Sequence, residues 1–374
     1  MTALTEGLNS QQLAAVKHEG TPLLVVAGAG SGKTRVLTRR IAYLLAERNV
    51  SPYEVLAITF TNKAAGEMKE RVAELVGDRA KMMWVSTFHS ACVRILRREA
   101  SLLGYTNSFT IYDQSDSLRL ITLVMRDMNL DAKRYAPRAV ASLISQAKNE
   151  LMGPADYLNQ AKDQFQEIVA QVFAIYQKRL TGANSMDFDD LIAKTVEVLQ
   201  RQPEVKAKYR SRFKHILVDE YQDTNHAQYV LIKELVGSER DGMPVAELCV
   251  VGDADQSIYA FRGANIRNIL QFEADYPSAK TILLEQNYRS TQNILNAANA
   301  VISNNDGRKE KNLWSDAGTG EIITGHVAES EHDEADFVVR EIGRLRGLGK
   351  SNPGDTAIFY RTNAQSRVFE EVFM

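Results

Sequence analysis

Cysteine, long apolar runs and an excess of either charge are all scarce in this sequence, and each scarcity argues against a class of protein. Only Cys92 and Cys249 occur in 374 residues, far apart and in apolar surroundings. This usage favours reduced, buried thiols in a cytoplasmic protein over a disulfide or a metal site. No stretch approaches the ~20 apolar residues of a membrane span, and the start MTALTEGLNSQQ has no signal-peptide core. The sequence therefore predicts a cytoplasmic protein without a membrane partner.

The formal net charge is only −2, which argues mildly against nucleic acid as a partner. Basic residues are nevertheless clustered in TRVLTRR (34–40), RILRRE (94–99) and KAKYRSRFKH (206–215). Most clusters of this kind are solvated helix faces, so they decide nothing by themselves. The length of 374 residues predicts two or three domains. A composition of 44% hydrophobic and 25% charged residues indicates a folded chain rather than a disordered one.

Short apolar runs recur between longer helical patterns. They lie at 22–27, 54–60, 83–87, 214–219, 247–252 and 280–285. Runs of this length suit strands that are buried on both faces of a parallel sheet, so the alternation predicts a doubly wound α/β fold. Only helical patterns occur between about 114 and 184, which indicates an inserted helical subdomain. A second α/β unit begins near 288, with possible strands at 321–327 and 356–360.

The stretch after the first apolar run is rich in glycine and closes on a lysine and a threonine. It reads Ala27, Gly28, Ala29, Gly30, Ser31, Gly32, Lys33 and Thr34. Glycines let backbone N–H groups curl around a phosphate at a helix N-terminus, where the partial positive charge favours anions. Lys33 is expected to reach the β- and γ-phosphates, and the Thr34 hydroxyl to hold Mg²⁺. The alternative is a glycine-rich turn without a ligand.

Two acids follow another apolar run, in the stretch ILVDEYQD (216–223). At the end of a strand, Asp219 is placed to bind the Mg²⁺ that bridges the β- and γ-phosphates. Its neighbour Glu220 is placed to take a proton from an attacking water. A pair of surface acids is the alternative interpretation. Together with the phosphate loop, these acids predict an NTPase that uses ATP and Mg²⁺.

Several further stretches, in order from end to end of the chain, resemble a known family. They are LNSQQLAAV (8–16), AGAGSGKT (27–34), ITFTNKAAGEM (58–68), WVSTFHS (84–90), DFDDLI (187–192), VDEYQDTN (218–225), VVGDADQSIYAFRGA (250–264), LEQNYRST (284–291) and FYRTNAQSR (359–367). On these stretches the chain resembles the N-terminal portion of a superfamily 1 DNA helicase of the UvrD/PcrA/Rep type.

The resemblance implies an α/β fold with a RecA-like P-loop NTPase core, an inserted helical subdomain and the start of a second RecA-like core. Residues 1–113 and 185–285 would form the first motor core, and 114–184 the insertion. Residues 286–374 would form the first segment of the second core. Because the family's second core continues further, the chain is expected to be a fragment that binds ATP and DNA but does not unwind duplex alone.

The resemblance also implies roles for residues. Gln12 would contact the adenine and Tyr288 would stack on it, although alone Gln12 reads as an ordinary polar helix residue. Gln256 and Arg289 would reach toward the γ-phosphate, and Arg35 completes the predicted nucleotide-binding set. The residues expected to face DNA are Phe60, Asn62, His89, Tyr259, Phe261, Arg262, Arg361 and Asn363. Several relatives carry tryptophan at the position of Phe261, for which an aromatic packed in the core is the alternative.

The function that the resemblance implies is an ATP-dependent DNA helicase, translocating 3′ to 5′ on single-stranded DNA. It would couple Mg-ATP hydrolysis to strand separation in DNA repair or replication, with single strands and single-strand/duplex junctions as partners. Two alternatives stay open at this stage. One is the helicase portion of a RecB/AddA-like helicase–nuclease, and the other is a nucleotide-dependent DNA-binding protein without motor action.

Overall fold

The computed structural model describes residues 4–238, 245–305, 308 and 310–374, and leaves out the side chain of Arg262. The chain divides into two compact units, Met1–Gly318 and Thr319–Met374.

Eight strands occur in the described part of the first unit. They are β1 (Leu23–Ala27), β2 (Val55–Thr59), β3 (Trp84–Thr87), β4 (Thr110–Tyr112), β5 (Ser185–Asp187), β6 (His215–Val218), β7 (Glu247–Gly252) and β8 (Lys280–Leu284). Six of them form one sheet in the order β3-β2-β6-β7-β1-β8, and all their pairings are parallel. Each of the six runs predicted as a buried strand is confirmed, and so is the α/β fold class.

Helices cover both faces of this sheet. Those of the first unit are α1 (Ser10–Lys17), α2 (Lys33–Ala46), α3 (Asn62–Val76), α4 (Phe88–Glu99), α5 (Gln114–Asp127), α6 (Pro137–Asn149), α7 (Pro154–Asn159), α8 (Gln164–Gly182), α9 (Phe188–Arg201), α10 (Pro203–Arg212), α11 (His226–Val236), α12 (Arg267–Leu270), α13 (Phe272–Asp275) and α14 (Gln292–Ile302). Side chains of β1 alternate between two apolar clusters, with Leu24 and Val26 in one and Leu23 and Val25 in the other. This period of two explains why the strand is apolar throughout.

Helices α5–α8 form the predicted insertion and enclose a third apolar cluster, which includes Phe173 and Tyr176. The short strands β4 and β5 stand at its two ends and pair in parallel, with Thr110 opposite Ser185. The sequence did not predict this ladder. A buried ammonium group, that of Lys148 on α6, lies 2.6 Å from a carboxylate oxygen of Asp187, the residue that caps α9.

The second unit contains α15 (Glu331–Gly347) and α16 (Ser366–Phe373), which contact each other. The strands predicted at 321–327 and 356–360 are wrong, because both segments lack strand structure. Their apolar side chains are exposed, 86% for Ile322 and 92% for Phe359. An extended segment becomes a strand only when a neighbour takes up its backbone hydrogen bonds, and no such pairing occurs among the described residues.

The strand order places several loops along one edge of the sheet. In a parallel sheet all carboxyl ends meet at the same edge, where ligands of open α/β sheets gather. The loops after β1, β2, β6, β7 and β8 begin at residues 28, 60, 219, 253 and 285. The stretches that follow these five strands therefore converge in space.

Candidate nucleotide site and adjoining cleft

The phosphate loop runs from strand β1, which lies between β7 and β8, into the N-terminus of α2, as the sequence predicted. Within it, the Ser31 hydroxyl donates to the Gly28 carbonyl at 2.8 Å. Gly30 has a φ of +68°, and a Cβ built there would lie 2.6 Å from Nδ2 of Asn287. A side chain at this position would therefore be strained and would clash. The loop is shaped as a backbone cradle, which is the form that a polyphosphate requires.

The Lys33 ammonium is held between two candidate catalytic side chains. It donates to Oε2 of Glu220 at 2.9 Å and to Oε1 of Gln256 at 3.3 Å. Glu220 itself has a left-handed backbone, with φ +48° and ψ +45°. A residue with a Cβ adopts this conformation at a cost of ~1 kcal/mol, and such strain concentrates at functional sites. Three of the five predicted catalytic residues, Lys33, Glu220 and Gln256, are thus joined through the Lys33 ammonium.

Asp219, the first residue after β6, lies beside this group and is buried. Burial, followed by the neighbouring carboxylate of Glu220, raises the pKa of Asp219 to about 6. The pKa of Asp223 is also raised to about 6, by burial and again by Glu220. Several carboxylates thus crowd one end of the site, an arrangement that a divalent cation would relieve.

Thr34 and Asp219 both line the cleft next to the phosphate loop. A hydroxyl and a carboxylate are hard oxygen ligands of the kind that Mg²⁺ prefers, with phosphate oxygens and waters as its usual remaining ligands. The residues present therefore suit a Mg²⁺ held jointly by protein and nucleotide. In the described part of the chain, no group of three or more His, Cys, Asp and Glu side chains forms a metal site of its own.

Gln12 and Tyr288 lie on the other side of the phosphate loop. Gln12 is fully buried; its Nε2 donates to the Ser31 carbonyl at 2.9 Å and its Oε1 accepts from the Asn9 amide. The Tyr288 hydroxyl accepts from Nδ2 of Asn9 at 2.9 Å, while half of the residue is exposed. Gln12 keeps a second amide hydrogen and a second lone pair for an adenine edge. Arg35 is exposed on the first turn of α2.

Two residues that the sequence did not single out shape the loop. Asn287 donates from Nδ2 to the Ala29 carbonyl at 2.5 Å, and its Oδ1 accepts from the Arg289 amide at 2.8 Å. A Cβ built on Gly28 would lie 2.2 Å from Cδ2 of Leu313. Asn287 stands inside the stretch LEQNYRST, so a signal for it existed. Leu313 lies in a segment without any motif.

A cleft of about 2050 Å³ adjoins the phosphate loop and extends to the helical insertion. Its lining includes Thr34, Asp219, Glu220 and Gln256, together with the candidate DNA-facing residues Phe60, His89, Tyr259 and Phe261. The cleft therefore brings the candidate nucleotide and DNA residues into one continuous space.

The candidate DNA residues of the first unit differ in exposure. Phe261 is 78% exposed and its ring lies 5.9 Å from that of Tyr259, so the core interpretation of Phe261 is wrong. Phe60 packs edge-to-face on Phe88, and the partly buried His89 has its pKa lowered by burial. Asn62 is exposed at the start of α3.

Arg262, Arg361 and Asn363 complete the set of residues that the sequence predicted to face DNA. The side chain of Arg262 lies outside the described part of the structure. Arg361 and Asn363 belong to the second unit, where both are exposed and the Arg361 amide donates to Oε1 of Gln365 at 2.8 Å. Their roles remain predictions.

A phosphate loop between a buried parallel strand and a helix, with acids directly after a nearby strand, defines a P-loop nucleotide-binding protein of the doubly wound α/β class. Residues 8–277 match the model of the UvrD/REP helicase N-terminal domain, and residues 282–374 match that of the UvrD-like helicase C-terminal domain. The chain belongs to the UvrD/REP helicase family. The resemblance read from the sequence is confirmed.

Curated relatives agree with this assignment. The chain is 62% identical over 376 residues to the ATP-dependent DNA helicase UvrD1 of Mycobacterium tuberculosis, covering 99% of this chain and 49% of that protein. It is 60% identical over 380 residues to UvrD1 of Mycobacterium leprae, covering 99% and 49%. It is 56% identical over 374 residues to the ATP-dependent DNA helicase PcrA of Staphylococcus aureus, covering 100% and 50%. The chain spans about half the length of these relatives. Among the described residues, no helix is long and apolar enough to cross a membrane.

Proposed function

We propose that the chain is the nucleotide-driven part of an ATP-dependent DNA helicase, which moves 3′ to 5′ on single-stranded DNA in repair or replication. The contact of Lys33 with both Glu220 and Gln256, at the mouth of a cleft lined by exposed aromatic residues, carries this proposal. The names of the relatives support an ATP-dependent helicase, and the resemblance supports the direction.

In this proposal, Lys33 leaves Glu220 when nucleotide binds and transfers its hydrogen bonds to the β- and γ-phosphates. The freed Glu220 carboxylate then accepts a proton from the attacking water. Thr34 and Asp219 would hold Mg²⁺, which when bound neutralises charge on the phosphate oxygens. Arg289, whose Cβ lies against Gly30, supplies a further positive charge to the transferring phosphoryl group.

Tyr259 and Phe261 would stack on bases of a single strand in the cleft. Stacking contributes about 1–3 kcal/mol per base and tolerates any sequence, which a translocating protein requires. Gln256 stands only a few residues before these rings on the same loop. We therefore expect Gln256→Ala to bind ATP nearly as well as wild type but to lose stimulation of hydrolysis by DNA. Full stimulation in that variant would contradict the coupling.

Residues 1–113 and 185–285 would serve as the first motor core, with 114–184 as its helical insertion and 286–374 as the first segment of the second core. Single strands and single-strand/duplex junctions would be the substrates. In the cell the protein would act in the cytoplasm.

The test is ATP hydrolysis by the chain with and without a single-stranded oligonucleotide. Lys33→Ala serves as the blank, and Lys63→Ala, an exposed lysine on α3, as the matched control. We expect nucleotide-dependent binding of the oligonucleotide and hydrolysis above the blank for wild type and Lys63→Ala. Binding to single strands should fall with log salt at a slope near −0.7 per phosphate contact. Nucleotide binding unaffected by Lys33→Ala, or DNA binding insensitive to salt, would refute the proposal.

A further inference from the structure

Lys311, a buried lysine that lies outside all the stretches that resemble the family, contacts the loop that carries Gln256. The Lys311 side chain is 4% exposed, and its ammonium lies between the carboxylates of Asp253 and Asp255. The Arg308 guanidinium binds Asp255 as well, with Nη2 at 3.0 Å and Nε at 3.2 Å. Two cations thus balance two carboxylates, so removing one cation leaves an unpaired buried charge.

Asp253 connects this lysine to Gln256. One carboxylate oxygen of Asp253, Oδ2, accepts from Nε2 of Gln256 at 2.5 Å, whereas Oδ1 binds Lys311 and the amide of Asp255. An ionised carboxylate only accepts hydrogen bonds, so the amide group of Gln256 must turn its NH₂ toward Asp253. Its carbonyl oxygen then faces the phosphate loop, where it lies 3.3 Å from the Lys33 ammonium.

The orientation of this amide decides what Gln256 can do. With the NH₂ group engaged, Gln256 offers the phosphate site an acceptor, which suits a water that must be oriented for attack. With the amide reversed, it would offer a donor, which suits the γ-phosphate oxygens and cannot accept a proton from the water. Free glutamine amides interconvert between the two orientations by rotation, and the Lys311–Asp253 contact selects one.

The lysine also belongs to the segment 311–314, which contacts the phosphate loop. The Trp314 amide donates to the Glu285 carbonyl at 3.1 Å, and the Leu313 side chain lies against Gly28. Neither contact involves the Lys311 ammonium, so the wall of the phosphate cradle has a support of its own.

We propose that Lys311 is a positioning residue for ATP hydrolysis, which acts through Asp253 to hold the Gln256 carbonyl oxygen toward the attacking water. The inference rests on the proposed ATPase function and deepens it. Lys311 would therefore stabilise the transition state of phosphoryl transfer without changing the affinity for the product nucleotide.

The experiment compares binding of Mg-ADP with binding of Mg-ADP–tetrafluoroaluminate, an analogue of the transition state, by titration calorimetry. Lys311→Met is the main variant and Lys311→Arg the conservative one. Lys214→Met, which breaks an ion pair with Glu54 at the other edge of the sheet, is the matched control. We expect Lys311→Met to weaken the analogue about tenfold or more and ADP by less than about twofold. Lys311→Arg should restore most of the analogue affinity.

A double-mutant cycle distinguishes positioning from general support of the fold. If Lys311 acts through Gln256, adding Lys311→Met to Gln256→Ala should weaken the analogue no further. Should Lys311→Met fail to fold in a melting experiment, Lys311→Met with Asp255→Asn restores the charge balance and replaces it. If Lys311→Met lost affinity for ADP and for the analogue to the same extent, or if the effects of Lys311→Met and Gln256→Ala were additive, the role of Lys311 would be refuted and the proposed function would stand. Failure of wild type to bind ADP would overturn the proposed function with it.

Discussion

Replacing Glu220 by glutamine is expected to make ATP bind more tightly while hydrolysis slows. Lys33 must leave Glu220 before it can bind phosphate, so the pair at 2.9 Å competes with the nucleotide. Opposite unit charges at that distance attract by about 1.4 kcal/mol in bulk water. The Glu220 side chain is 37% exposed, and exposed pairs of this kind contribute a net of about 0.5–1 kcal/mol.

Removing the charge should therefore tighten ATP binding about two- to fivefold. Loss of repulsion between Glu220 and the polyphosphate acts in the same direction, so this range is a lower bound. Hydrolysis should fall by ~10²-fold or more, because the candidate general base is gone. Glutamine keeps the size of the side chain, so the loop geometry should survive.

The assay is a titration of ATP into each variant at low and high salt, followed by single-turnover hydrolysis. Glu67→Gln changes the charge equally on an exposed face of α3 and should alter neither quantity. The gain in affinity should shrink as salt rises, since screening weakens the ion pair in wild type. Weaker ATP binding by Glu220→Gln would refute the view that the Lys33–Glu220 pair competes with nucleotide.

Three further predictions follow from the same geometry. Gly30→Ala should weaken nucleotide binding at least tenfold in a titration, because its Cβ would lie 2.6 Å from Nδ2 of Asn287 and clash. Gly66→Ala is the control: it lies in open space inside α3 and should raise the free energy of unfolding by ~0.5–1 kcal/mol in denaturant. The pKa of Asp219 is raised to about 6 by burial, so its ionisation costs stability above that pH. Asp219→Asn should therefore have a free energy of unfolding about 2 kcal/mol above that of wild type at pH 7.5. This gain should shrink between about pH 6, the folded pKa, and about pH 4, the unfolded pKa, and be absent near pH 3, where the wild-type carboxyl is protonated in both states. An equal gain at pH 7.5 and pH 3 would contradict this. Phe261→Ala should weaken single-strand binding by about 1–3 kcal/mol with the melting temperature unchanged, unlike the exposed control Tyr53→Ala, which should leave DNA binding intact in fluorescence anisotropy.

Burial explains which parts of the fold the sequence predicts. The six strands of the main sheet are buried on one or both faces, so their apolar runs are visible without any knowledge of their neighbours. The ladder of β4 and β5 is short, and Ser185 and Asp187 are polar although buried, so no apolar run marks it. In the segments at 321–327 and 356–360 an apolar sequence is misleading, because these residues are exposed and unpaired in the second unit.

Local sequence patterns likewise predict one part of the candidate site, and long-range packing places the rest. The phosphate loop and the acids after β6 follow local patterns, and the structure brings Lys33, Glu220 and Gln256 into contact. Lys311 and Leu313 owe their places to long-range packing against the loops at 253–256 and 28, which no local pattern records. The left-handed backbone of Glu220 is likewise a property of the folded site and leaves no trace in the residue type.

The position of β1 in the sheet has a consequence for how the chain is made. This strand is flanked by β7 and β8, so its backbone finds its first partner only when residues 247–252 have left the ribosome. Roughly 220 residues separate the two strands, and at ~5–20 residues per second their synthesis takes about 10–45 s. Throughout that interval the apolar segment Leu23–Ala27 has no place in the sheet, whereas β2 and β3 emerge close together and can pair early. During translation, this apolar segment, which leads into the phosphate loop, therefore needs protection from aggregation.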